Sequence, residues 1–357
     1  MPKSTTEPMK RNNSILTYCD AIRIGFEHLL SRHPNVFVIG QGVWSPWYVG
    51  NSMTDLDKKF GKERVIDSPV SEQACTGVAV GASLCGYRPI VVHPRVDFML
   101  YGMDAIVNQA AKWSHMLGGQ AHPAVVIRAI VNRGGEQGAQ HSQALHAWFA
   151  HIPGLRVVMP YSPQDARDLL IAATLCDDPV VYIDDRWLYE QSEIVDPAAP
   201  IVEQDLRMIG PQVIRAGKDI TLVAASHSTM LSMEAAAKLT EQGIDAEVVD
   251  LRVLNPLDAT EIIKSVRKTG RLIAVDGGWA NCGLAGEVIA RVMESIEPSQ
   301  LRSAPRRITL PDAPAPTSKP LESAYYPAAQ SIVKLAQELV LSSSTINKRY
   351  IRHETFT

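Results

Sequence analysis

The sequence lacks any long hydrophobic run. Its longest apolar stretches, such as Ala124–Ile130 with Arg128 inside, fall far short of the ~20 residues that a helical membrane span requires. No membrane is therefore expected as a partner. An excess of charge of either sign is also missing: 35 Lys and Arg stand against 38 Asp and Glu, leaving a net charge of -3. That balance offers no electrostatic footprint for nucleic acid or anionic lipid. Cysteine is scarce and scattered, with Cys19, Cys75, Cys85, Cys176 and Cys282 forming no C-x-x-C pair. A disulfide framework and the usual zinc spacings are thereby disfavoured. Buried free thiols in a reducing, cytoplasmic compartment are the expectation. No apolar secretory segment follows the start, and residues 1–14 read as a flexible polar tail. Several catalytic signatures are missing as well: no G-x-S-x-G, no H-E-x-x-H and no G-x-x-x-x-G-K-[ST] occurs. Serine hydrolase, zincin and nucleoside triphosphatase readings lose their support. Gly40-Gln41-Gly42 follows a strand pattern but has no third glycine and opens no helix, so it fails as a dinucleotide loop.

What is present is the composition of a globular enzyme, 46% hydrophobic and 20% charged over 357 residues. Single cores seldom grow past roughly 250–300 residues, so two domains are expected. Short β-branched runs alternate with helical patterns. Strands are expected at Val36–Gly40, Pro89–His93, Ala124–Ile130, Arg156–Pro160 and Pro179–Asp184, and helices at Ile15–Leu30, Ser71–Leu84, Met103–Leu117 and Pro163–Leu175. The alternation predicts a parallel sheet with helical crossovers. Residues 191–211, rich in Pro, Asp and Glu, read as a linker. A second set follows: strands at Ile220–Ala225, Asp245–Leu254 and Arg271–Asp276, with helices at Thr229–Gln242, Asp258–Lys268, Leu284–Ser295 and Pro327–Leu341. The expected architecture is α/β with two open domains, 15–190 and 212–341, and a C-terminal tail at 342–357. Open parallel sheets bind ligands at the carboxyl ends of their strands, so the loops there should carry the chemistry.

Two clusters stand out in those loops. The first, Asp67-Ser68-Pro69-Val70-Ser71-Glu72, runs into the small, apolar stretch Ala74–Leu84. A glutamate in the first turn of a helix can serve as a dipole or capping partner. Among apolar neighbours its carboxylate is also poorly solvated, which suits proton transfer. The second is the loop Gly134–Gln143, which carries His141, with His146 and His151 after it. Glycine-rich loops after a strand allow close backbone approach to a ligand. His227 and His353 stand alone and read as surface or satisfied histidines.

The runs Asp67–Gly86 (DSPVSEQACTGVAVGASLCG), Gln140–Gly154 (QHSQALHAWFAHIPG), Val157–Leu170, Asp178–Val181, Val248–Asp258 (VVDLRVLNPLD) and Leu310–Lys319 resemble, in order and over nearly the whole chain, one family. It is the beta subunit of the thiamine-diphosphate-dependent decarboxylating component of 2-oxoacid dehydrogenase complexes, such as pyruvate, branched-chain and acetoin dehydrogenases. The resemblance implies a transketolase-like fold, a pyrimidine-binding domain followed by the transketolase C-terminal domain. It also implies oxidative decarboxylation of a 2-oxoacid with acyl transfer to lipoamide. Glu72 falls on the glutamate that bonds the cofactor's aminopyrimidine ring and thereby helps it to deprotonate its own thiazolium carbon. Phe98 falls on the aromatic residue packed against that ring. His141 falls on the histidine that handles protons and orients the acyl acceptor. The G-D-G…N-N pattern that holds the diphosphate and its Mg2+ is not found in the chain. The resemblance assigns those groups to a separate alpha subunit in an alpha2beta2 heterotetramer, which serves a lipoyl acyltransferase core.

The sequence departs from the family at three places. Gln41 and Gly42 stand where acidic residues are usual, and Ala105 stands where glutamine is common. Family members also often bind a structural K+ through backbone carbonyls and an Asp/Asn pair. The aligned positions are Val125, Ala173, Thr174, Cys176 and Asp178, and Cys is a poor ligand for a hard cation. Two alternatives remain open: a split transketolase-like or acyloin-forming carbon–carbon ligase without lipoamide, and a non-catalytic stabilising subunit.

Overall fold

A computed structural model describes residues 14–196 and 198–351. The N-terminal tail up to residue 13, and His353 with the rest of 352–357, lie outside the described residues. The strands, in chain order, are β1 (Ser14–Thr17), β2 (Val36–Gln41), β3 (Val65–Ser68), β4 (Arg88–His93), β5 (Val126–Val131), β6 (Arg156–Val158), β7 (Val180–Asp185), β8 (Ser192–Val195), β9 (Gln212–Arg215), β10 (Ile220–Ala224), β11 (Ala246–Asp250), β12 (Val253–Asn255), β13 (Leu272–Trp279) and β14 (Arg306–Leu310). They form a seven-stranded sheet of order β12-β6-β7-β5-β4-β2-β3, a five-stranded sheet of order β14-β13-β10-β11-β9 and a β1-β8 ribbon.

Strands β2 to β7 of the large sheet run parallel. β5 and β7 are buried at every residue, which is why they read as continuous apolar runs and not as an alternation. A cation enters this core at Arg128, in the middle of β5. Its guanidinium donates to both Asp184 oxygens at 3.0 and 2.9 Å, to Ser52 Oγ at 3.0 Å and to Tyr189 Oη at 3.1 Å. A buried ion of this kind is tolerable only when it is paired and hydrogen-bonded.

The local differences from the sequence reading have identifiable causes. The first helix begins at Tyr18 and not at Ile15, because Thr17 caps it, accepting from the Asp20 N–H at 3.1 Å, while Ser14–Thr17 pairs with β8. That pairing also puts a strand inside the 191–211 stretch. The run Asp245–Leu254 is two strands: Arg252 takes φ +57 and turns the chain away. β11 stays in the small sheet, and β12 crosses to cap the edge of the large sheet against β6. The two halves of the chain are thereby sewn together. The final helix runs Ala329–Ile351, past the expected end at Leu341. No Pro or Gly interrupts that stretch, and these are the residues that stop helices most strongly.

Candidate active site

The chain passes from β2 outward to β3, then returns to the other side of β2 to form β4. The crevice between the carboxyl ends of β2 and β4 is therefore the switch point at which open α/β sheets bind ligands. A narrow cleft lies there, lined by Gly40 and Gln41 from β2, Ser68 at the end of β3 with Pro69, Ser71 and Glu72 after it, and Val92, His93 and Pro94 at the end of β4. Gly40 is required at its floor, since a Cβ there would sit 2.4 Å from the Val92 carbonyl oxygen.

Glu72 opens the helix Glu72–Leu84 at this cleft. Thr76 fixes that helix end: its hydroxyl donates to the Glu72 carbonyl at 2.7 Å and meets His93 Nε2 at 3.2 Å. Burial pushes the His93 imidazole down to about 4, so it is a neutral brace for the turn and not a charge. Among the described residues the Glu72 carboxylate makes no hydrogen bond or ion pair of its own, and Ser68 Oγ is buried in the same cleft without a partner. The helix is not buried all round, as the sequence suggests. Ala74, Gly77, Val78 and Gly81 are exposed, because no described element of this chain covers that face.

Phe98 follows β4 in the short helix Val96–Met99, and His141 lies in the loop after β5. The fold brings them together edge to face, with ring centroids 5.2 Å apart. The histidine is held through its backbone: Arg95 donates to its carbonyl at 3.1 Å and to Gln137 Oε1 at 2.9 Å. Two residues on, the Gln143 backbone and side-chain amides both donate to Asp97 Oδ1, at 3.1 and 3.0 Å. Asp97 Oδ2 has no partner, and burial raises the Asp97 carboxyl above the usual range. Phe98 and His141 are thus fixed by a shared set of bonds between the β4 and β5 loops.

The second domain pins the same loop. The Glu136 N–H donates to both Glu322 oxygens at 3.1 and 3.2 Å, and Glu136 Oε1 accepts from the Lys319 N–H at 3.2 Å. His146 Nε2 lies 2.8 Å from Asp276 Oδ1. Arg133 bonds Asp185 and donates to the Gly277 carbonyl at 3.2 Å. The sequence offers His146 without a role and gives no sign of Arg133, Asp276 or Glu322. Their partners lie 52 or more residues away, and no local spacing signals them. His227 is buried, tilted against Trp187 at 4.7 Å, and burial lowers it to about 4.

Val125, Ala173, Thr174, Cys176 and Asp178 are not part of this group. They sit before β5 and before β7, at the opposite, amino end of the sheet. All five cysteines are free, but Cys85 and Cys282 are exposed, against the expectation of burial.

The chain is similar to known proteins over most of its length. Residues 15–191 match the transketolase pyrimidine binding domain, and residues 211–332 match the transketolase C-terminal domain. The chain is 38% identical over 323 residues to the mitochondrial pyruvate dehydrogenase E1 component subunit beta of Ascaris suum, covering 90% of each. It is 37% identical over 334 residues to the acetoin:2,6-dichlorophenolindophenol oxidoreductase subunit beta of Cupriavidus necator, covering 89% of this chain and 95% of that one. In fold it is similar to a split-gene transketolase, inactive beta4 tetramer, at TM-score 0.71 and 23% identity, over 91% of this chain and 98% of the other.

Proposed function

The chain belongs to the family of 2-oxoacid dehydrogenase E1 beta subunits built on the transketolase fold, and we infer that it is the beta subunit of such a thiamine-diphosphate-dependent enzyme. The observation that carries this reading is the unengaged carboxylate of Glu72 at the switch point of the large sheet, with the Phe98–His141 ring pair on the segments that follow β4 and β5. The residues fit an aminopyrimidine. Glu72 offers an acceptor to one ring edge, Ser68 offers an unpaired hydroxyl in the same cleft, and Phe98 offers an apolar face.

Thiamine diphosphate supplies the carbanion chemistry when bound. This chain's part is to hold and to move protons. Glu72 keeps a proton on the aminopyrimidine nitrogen, and the Thr76–His93 brace keeps its helix end in place. His141 shuttles the proton of the acyl acceptor. Its backbone anchors prevent the loop from swinging away, and a fixed general acid–base is the efficient one.

The other half of the site is assigned to an alpha subunit that holds the diphosphate and Mg2+, in an alpha2beta2 assembly. Val70 and Val78 flank Glu72 at 70% and 59% exposure, and Tyr101 is 72% exposed. Apolar exposure clustered beside a binding cleft fits burial by a partner chain. A lipoyl acyltransferase core would receive the acyl group, and the substrate would be a small 2-oxoacid. The free thiols suit a reducing compartment, which we take to be the cytoplasm. Among the described residues no helix is long and apolar enough to cross a membrane.

The test is to co-purify the chain with its partner and to assay the complex for thiamine-diphosphate-dependent carbon dioxide release from a panel of 2-oxoacids. Each assay is run with and without lipoamide. An alpha-like partner with lipoamide-dependent acyl transfer supports the dehydrogenase. Carbanion transfer to an aldehyde with no response to lipoamide would replace it with a carbon–carbon ligase.

A further inference from the structure

At the amino end of the large sheet, four of the five positions aligned with the structural K+ site are already engaged by groups of this chain. Arg88, the first residue of β4, extends its guanidinium beneath the end of the helix Pro163–Leu175. One nitrogen, Nη1, donates to the Thr174 carbonyl at 3.1 Å and to the Cys176 carbonyl at 2.8 Å. The other, Nη2, donates to Asp177 at 2.6 Å. The carbonyls at a helix C-terminus lack partners within the helix and carry the negative end of its dipole, so this place attracts a cation whatever its kind.

Two of the remaining aligned positions are also engaged. Asp178, the one side-chain carboxylate among them, accepts from Arg156 Nε at 2.7 Å. The Val125 carbonyl accepts from the Val180 N–H at 3.0 Å, where β7 begins its pairing with β5. A potassium ion would have to displace a guanidinium that carries the same charge and already satisfies two of its carbonyls. The residues present therefore do not fit an alkali cation.

We propose that Arg88 is a built-in cation: its guanidinium does the structural work of the alkali ion, and the chain binds no K+ at this site. An arginine differs from an ion in its consequences. It is covalently attached, its donors are directional, and it holds its charge at every accessible pH. The joint between β4, the helix end and β7 is then independent of the salt composition around it. This inference stands apart from the substrate and from the proposed cofactor site, which lies at the other end of the strands.

The test is thermal unfolding of the full chain, in the assembly in which it purifies, in KCl, NaCl and choline chloride at matched ionic strength. The wild type is expected to melt at the same temperature in all three. A rise specific to K+ would overturn the proposal. An Arg88→Met variant is expected to melt several degrees lower, with an Arg88→Lys variant between, whereas Arg207→Met, on an exposed arginine, should not move. If Arg88→Met melted with the wild type, the guanidinium would not be holding the joint, and the proposal would fail. Should Arg88→Met not fold, the cation comparison on the wild type decides alone.

Discussion

His146 and Asp276 are 130 residues apart in the chain and 2.8 Å apart in the fold, with both side chains almost wholly out of water. Asp276 also accepts from the backbone N–H groups of Gly278 at 2.8 Å and Ala285 at 3.1 Å. The pair fastens the segment that follows the proposed active-site loop to β13 of the second domain. Burial opposes ionisation of Asp276, but the adjacent His146 and those two N–H groups outweigh it and hold the carboxyl below the usual range.

A carboxyl depressed in the folded state stabilises the fold above its unfolded value, and that stability is lost as pH falls through the folded value. Asp276→Asn should therefore cost about 1–3 kcal/mol at neutral pH and flatten the acid limb of the stability curve. Urea unfolding over a pH series measures both. An unchanged acid limb would show that the pair is not the acid-sensitive joint.

Asp250 gives the opposite sign. Burial, then repulsion from Asp165, pushes its carboxyl up to about 8, with Thr229 donating to Oδ1 at 2.9 Å and Oδ2 unpartnered. The folded state binds this proton more tightly, so stability is greatest below the unfolded carboxylate value and falls as pH rises toward 8. Asp250→Asn should match the wild type near the unfolded carboxylate value, at pH about 4, and exceed it increasingly as pH rises to about 8. Denaturant midpoints at the two pH values check this, and a variant weaker in alkali would contradict it.

Arg128 and Asp184 are a fully buried ion pair in the centre of the large sheet. Arg128→Met leaves Asp184 charged and uncompensated, for a loss of about 3–5 kcal/mol. Equilibrium unfolding should register that loss; a change within error of zero would mean that the interior relaxes to admit water.

Glu72→Ala should abolish turnover while leaving co-purification with the alpha-like partner intact, since the carboxylate contributes no bond within the described chain. Surviving turnover would favour a non-catalytic, stabilising subunit.

His141→Ala should lose lipoamide-dependent acyl transfer by roughly 100-fold or more, the scale of a general acid–base, and keep decarboxylation. Stopped-flow decarboxylation alongside the lipoamide assay separates the two steps. Undiminished lipoamide transfer would remove His141 from the proton-shuttling role.

The legibility of this protein follows the range of the interactions involved. The alternation of apolar runs with helical periods, the helix opening at Glu72 and the loop histidine are readable because each rests on neighbours a few residues apart. The family resemblance also points to Phe98, although nothing in its local run reveals that it meets His141. Less legible are the short edge strands. β1 and β8, like β12, carry too few residues to show a period, and each exists only because a distant partner supplies its hydrogen bonds.

The α/β class, the order of the main elements and the residues with chemistry to offer all follow from the amino-acid order, because propensity and patterning are local properties of the chain. Folding in three dimensions settles the rest: β12 leaves its own domain, His146 meets Asp276, and Arg88 reaches the end of a distant helix. Those outcomes depend on which backbone ends the sheet order brings together. A charged side chain settles where burial leaves carbonyls or a carboxylate unpaired, and spacing along the chain does not record that.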